Sequence, residues 1–224
     1  MSGVYRLNRT ANSVGRINTR RVADASWWLS GGISPANCIA AYQAKGAADI
    51  ATSRINLVNN ATYKLGVPIL ATIPGFSSAA GWICTGSHGL GTGIGAIDAV
   101  SVIIRFSNLV TSTGYICGGG GMYIQPYRSA SSHRFNRGGF LIPDGAVLSG
   151  VMAIAVQKAF KDGTKTGDIG GGTVSNNPIN IGCNAYASGG QANNFITANI
   201  QAIALYSIDI ETYIPALTTA MNAL

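Results

Sequence analysis

Few side chains in this 224-residue chain could do acid–base chemistry, and they are scattered. Glu211 is the single glutamate, and Asp and Glu together number 8. Hydrolysis of a glycosidic bond needs two carboxylates flanking that bond. Asp98, Asp144, Asp162 and Asp168 fall instead at expected turns or loop ends, where aspartate is favoured because it bonds the local backbone. No two carboxylates share an expected strand face, so no catalytic residue is assigned and the chain is expected not to be an enzyme. His88 and His133 lie in segments rich in Gly and Ser and read as solvated loop residues. Gly86-Ser87-His88-Gly89 is not a nucleophile elbow, which requires G-x-S-x-G.

Metal chemistry fares no better. Asp98 and Asp144 are the least poor calcium candidates, but calcium takes several oxygen ligands and no D-x-D cluster occurs. Cys38, Cys84, Cys117 and Cys183 are widely spaced, with no C-x-x-C pair and no His at metal-ligand spacing. Each sits in an apolar or Gly-rich context, which fits buried free thiols; disulfides stay open. No metal and no cofactor is expected. Gly89-Leu90-Gly91-Thr92-Gly93 has the glycines of a phosphate cradle but neither the Lys-Ser/Thr ending nor a following helix, which excludes a P-loop.

Two clusters could bind rather than react. Tyr123, Tyr127, Arg128, His133, Arg134 and Phe135 fall within thirteen residues. Aromatic faces and polar groups of this kind suit a carbohydrate, and alternation lets Tyr123 and Gln125 share a face. The competing reading is aromatic core packing beside a solvated basic loop. The second cluster is Arg6, Arg9, Arg16, Arg20 and Arg21, all ahead of the first acidic residue, Asp24. Without them the net charge of +7 nearly vanishes, so the main body is not expected to bind specific nucleic acid. The arginines read as a solvated tail or as an arm for an acidic partner surface. Trp27 and Trp28, which follow, could plug a neighbouring subunit or cap this chain's own core.

The elements that must position these residues read as β-structure. Val151–Val156 is a continuous apolar run, as in a strand covered on both faces, and Asp162-Gly163 is a hairpin signal after it. Further strands are expected at 38–42, 55–57, 81–84, 100–106, 114–117, 122–126, 140–142 and 179–183, with a long bent or paired strand within 195–206. Residues 45–54 read as a loop or one short helix. Residues 87–95 read as a Gly-rich loop, 128–137 as a polar basic loop and 186–194 as a polar loop. Ile214, Leu217, Met221 and Leu224 fall on one face of a closing helix, with Pro215 in its first turn and Thr212 as the favoured cap. Many short strands, frequent Gly turns and one terminal helix predict an all-β antiparallel sandwich.

The order of features resembles the concanavalin A-like jelly roll in its laminin-G-like form. The residues that carry this are the apolar strand before Lys161-Asp162-Gly163, the strand ending Ile181-Gly182, and the closing strand FITANIQAIALY with a short helix after it. The likeness spans about 99–224 well and 38–95 loosely. The stretch WWLSGGISPANCIAAYQ is also similar to laminin-G-like proteins of phage-type sequences. The resemblance implies fold more than activity.

Residues 1–29 are therefore expected to form an extended basic arm and 30–224 a jelly-roll domain. Charged residues make up 10% of the chain, against about 25% in typical domains, which suits a protein held in an assembly. The expected function is a non-enzymatic structural protein of a phage particle, a capsid-decorating or fibre/tail component anchored by the arm. Its expected partners are other virion proteins and further copies of itself. The alternative is a carbohydrate-binding, lectin-like module or adhesin whose partners are surface glycans. The first 21 residues hold no apolar signal-peptide core, so synthesis in the host cytoplasm is expected, with Asn8 and Asn60 unglycosylated. No apolar run approaches the length of a membrane span.

Overall fold

The computed structural model describes residues 26–185 and 191–224. Its strands, in chain order, begin with β1 (Cys38–Gln43), β2 (Gly75–Ser77), β3 (Gly81–Cys84), β4 (Leu90–Gly95), β5 (Ser101–Ser107) and β6 (Cys117–Gly119). Next come β7 (Met122–Ser129), β8 (Ser132–Arg137), β9 (Phe140–Leu141), β10 (Gly150–Ala155) and β11 (Lys158–Lys161). The last are β12 (Thr164–Asp168), β13 (Pro178–Ile181), β14 (Asn184–Ala185), β15 (Ala192–Asn193) and β16 (Ala198–Tyr206). Two helices, α1 (Ile50–Ser53) and α2 (Ile214–Asn222), complete the set with short 3-10 turns. All pairings between named strands are antiparallel. The architecture is the all-β antiparallel sandwich with a short C-terminal helix that the sequence predicts.

One sheet runs β12-β11-β10-β5-β16-β3-β2, with β1 also on β16. The other runs β4-β13-β6-β7-β8-β9. Between them lies the main core, including Trp82, Phe106, Phe135, Ile104 and Ile154. A second core sits on the outer face of the first sheet, under α2. This explains the continuous apolar run of β10. Met152 and Ile154 face the main core, while Val151, Ala153 and Ala155 face the second. β16 does the same, with a register shift between Ile200 and Ala202 that switches which parity points inward.

Trp27 and Trp28 belong to that second core. They meet edge to face at 5.9 Å, are 3% and 7% exposed, and the Tyr206 hydroxyl donates to the Trp28 carbonyl at 2.9 Å. This corrects the expectation that they serve a partner: their rings are consumed by Ile214, Leu217 and Met221 of this chain's own helix. Residues 27–29, assigned above to the arm, form a 3-10 turn against the body. Arg6, Arg9, Arg16, Arg20 and Arg21 lie outside the described residues.

Helix α2 buries Ile214, Leu217 and Met221, as their spacing predicts, with Pro215 in the first turn. No side chain caps it; Tyr213 takes the N-cap position, and Thr212 sits in the preceding 3-10 turn. Its last turn is held by Arg105, whose Nη1 donates to the Met221 carbonyl at 2.6 Å. The Asp162-Gly163 turn forms with φ of 48° and 85°, the positive values a type I′ hairpin needs. Residues 55–57, expected as a strand, are irregular, and residues 90–95 form strand β4 rather than a loop. No helix among the described residues is long and apolar enough to cross a membrane.

Candidate functional site

The segment 128–137, expected as a loop, is half of a hairpin. β7 and β8 pair with Met122 opposite Arg137, Tyr123 opposite Asn136, Ile124 opposite Phe135 and Gln125 opposite Arg134. Met122, Ile124 and Phe135 are buried in the main core. Because side chains alternate across a strand, Tyr123, Arg134 and Asn136 must then face outward. β6 enters this hairpin through Gly120-Gly121, a two-residue turn with φ of 59° and 86° at positions opposite neither strand. Only residues without a Cβ adopt both values freely. That turn sets Gly118 directly opposite Tyr123.

The outward groups form one connected platform. The Arg134 Nη1 donates to the Tyr123 hydroxyl oxygen at 3.0 Å, and the Asn136 Nδ2 donates to the same atom at 3.3 Å. Tyr115 stacks at a tilt on Tyr123, with ring centroids 4.4 Å apart. Burial, and then the neighbouring Tyr123, push the Tyr115 hydroxyl up from its usual range. The Arg134 guanidinium carbon lies 5.4 Å from the ring centroid of Phe140, which pairs beside Asn136 on β9 and is 61% exposed. Gly118 permits the assembly. A Cβ there would stand 2.7 Å from Asn184 Oδ1 and 2.8 Å from Tyr123 Cβ, so both side chains lie over bare backbone.

The six residues singled out from sequence thus divide. Tyr123 and Arg134 come together on the platform. Arg128 is exposed near the end of β7. Tyr127 packs on the main core, and Phe135 is fully buried in it. His133 is buried on β8, edge to face with Phe135 at 5.5 Å. Its Nδ1 and the Gly145 carbonyl are 2.6 Å apart, so Nδ1 carries the proton and donates. Its Nε2 is buried without a partner. Burial lowers its pKa, opposed by the Gly145 bond. His133 and Phe135 are therefore corrected: they face inward and are buried, so neither can stack a ligand, and His133 is not a solvated loop residue; Tyr127 is half-buried and leans on the main core instead of joining the platform. Gln125 shares a face with Tyr123 but is buried, its Nε2 donating to the Thr113 carbonyl at 2.5 Å. Tyr115, Asn136, Phe140 and Asn184 are the platform residues that sequence reasoning missed. Reading Ser132–Arg137 with period two would have placed Asn136 and Arg134 on one side.

Other chemistry-bearing groups are engaged structurally. Glu211 and Asp209 both pair with Lys158, the latter at 3.5 Å. Asp49 caps α1, and the Asp162 Oδ1 accepts from the Val151 amide at 2.8 Å. All four cysteines are free and buried, and burial pushes each thiol up to about 12. Among the described residues no three His, Cys, Asp or Glu side chains converge as a metal site would require.

No family model matches this chain, and no curated protein does. Solved structures do. Domain 4 of an extracellular arabinanase from Geobacillus stearothermophilus, solved with arabinotriose, aligns with a TM-score of 0.55 at 14% identity, over 81% of this chain and 98% of that domain. The Trypanosoma rangeli sialidase aligns with a TM-score of 0.56 at 12% identity, over 84% of this chain. This chain spans only 33% of the sialidase's length. At such identities the likeness speaks to fold: the chain shares its two-sheet, jelly-roll-like sandwich with the arabinanase's domain 4 and with a third of the sialidase.

Proposed function

We propose that this chain is a non-enzymatic carbohydrate-binding module whose ligand lies on the outer face of the six-stranded sheet. The observation that carries this reading is the joining of Tyr123, Tyr115, Arg134 and Asn136 through one phenol oxygen and one ring stack. Rings offer an apolar surface to the C–H face of a sugar, while amide and guanidinium groups answer its hydroxyls. Two similar folds in carbohydrate-active proteins lend weight, one of them solved with arabinotriose. The absence of catalysis is argued from Glu211, which Lys158 already holds, and from aspartates spent on turns and caps.

A glycan array probed with the full chain, followed by calorimetric titration of the best ligand, tests this. Binding that is lost in Tyr123→Ala, while circular dichroism shows the variant still folded at the assay temperature, supports it. Unaltered binding in that variant refutes the site.

The virion reading, including laminin-G-like decoration of a phage particle, keeps its support in the basic arm and the charge-poor composition. It loses the Trp pair, which this chain buries itself. Removing residues 2–26 and measuring incorporation into particles tests that reading directly.

A further inference from the structure

The platform carries a cation with no counter-ion. Arg134 makes no ion pair among the described residues. One of its five N–H donors goes to Tyr123. Its Nε is buried and has no hydrogen-bond partner. The ring of Phe140 lies against it. The strand register puts Gly91, Asn180, Gly118, Tyr123, Gln125, Arg134, Asn136 and Phe140 on this outer face, and none of them is acidic. A partly desolvated guanidinium beside aromatic rings attracts an anion more strongly than one in open water. Its planar fork matches a carboxylate, two N–H groups to two oxygens.

We infer that the sugar bound here carries a carboxylate, as uronic and other acidic saccharides do, with that carboxylate on Arg134 and the ring against Tyr123 and Tyr115. This rests on the carbohydrate-binding reading and narrows it. A neutral saccharide would cover the guanidinium of Arg134 without supplying a counter-charge.

The test is calorimetric titration of the full chain with oligomers of galacturonate, glucuronate and sialic acid, with the methyl esters of the same oligomers, and with arabinotriose. The expected result is that at least one acidic oligomer binds roughly tenfold or more tightly than its ester, with affinity falling as salt rises. Arg134→Gln removes that preference, so that acid and ester bind alike. Arg134→Lys keeps the charge but not the fork, and also weakens binding of the acid. Circular dichroism melting confirms that both variants fold. If esters or arabinotriose bind as well as the acids, the carboxylate inference fails while the carbohydrate reading stands. If acidic oligomers bind equally well in Arg134→Gln, the assignment to Arg134 fails. If no saccharide on the panel or the array binds, both fall.

Discussion

Arg134 and Tyr123 stand diagonally across the β7–β8 hairpin, and the guanidinium reaches the phenol oxygen at 3.0 Å. That one atom accepts from two side chains of β8, Arg134 and Asn136. Tyr123→Phe removes the acceptor and leaves both donors to find water. We expect the variant to lose about 1 kcal/mol of unfolding free energy in urea denaturation, and to lose sugar affinity more sharply than stability.

Gly118 is a second handle on the platform. Gly118→Ala drives a methyl group to 2.7 Å from Asn184 Oδ1 and 2.8 Å from Tyr123 Cβ. Something must shift, at a cost of about 1–3 kcal/mol, and the Tyr115–Tyr123 stack opens. Denaturation and ligand titration of the variant should both show loss.

His133 gives the fold a pH dependence of known sign. Its folded pKa lies below the ordinary 6.5, because burial disfavours the imidazolium and Lys161 pushes the same way. The Gly145 carbonyl and Asp144 oppose this without reversing it. As pH falls through 6.5, the unfolded chain therefore takes the proton first. Stability is complete above that value and declines below it until the folded pKa is passed. Urea denaturation between pH 5 and 7.5 should show the decline, and His133→Phe should flatten it.

Trp28 joins the first residues of the described body to α2. Trp28→Ala leaves a cavity between the sheet and Leu217, Ile214 and Met221. A cost of about 3–5 kcal/mol is expected, read as a lowered thermal midpoint.

The cysteines should be silent in the folded state. With each thiol pushed up to about 12, thiolate is scarce at pH 8. A thiol-reactive disulfide dye should react slowly with the native protein and with all four Cys after denaturation.

The sequence made the scaffold legible where composition was extreme. The β10 run, the Asp162-Gly163 turn and the α2 stripe were each visible because burial on two faces, a positive φ or a helical period leaves a strong signature. β4 was missed because its alternation runs Leu90, Thr92, Ile94 against Gly91, Gly93, Gly95, and glycine masks the polar half of the pattern. Its glycines have other reasons: Gly91 lies under Pro68 and Asn180, Gly95 under Asn176, and Gly93 takes a φ of 71°. β8 was missed because His133, a polar residue, takes an inward position beside Phe135. The β10–β11 turn was invisible because Val156 occupies it at φ 54°, an unusual conformation for a β-branched residue, with no Gly, Asn or Asp to mark it. The candidate site was half legible: its tyrosine and arginine were named, but not the face that unites them with Tyr115, Asn136 and Phe140.

The placement of β16 has a consequence for how the molecule comes into being. β1, β3 and β5 pair with β16 and with none of one another. A growing chain that has passed residue 107 thus carries three strands with exposed edges and nothing to join them. The keystone is synthesised more than ninety residues later, at 198–206. Until then those edges can pair with strangers, so this topology favours slow, aggregation-sensitive refolding.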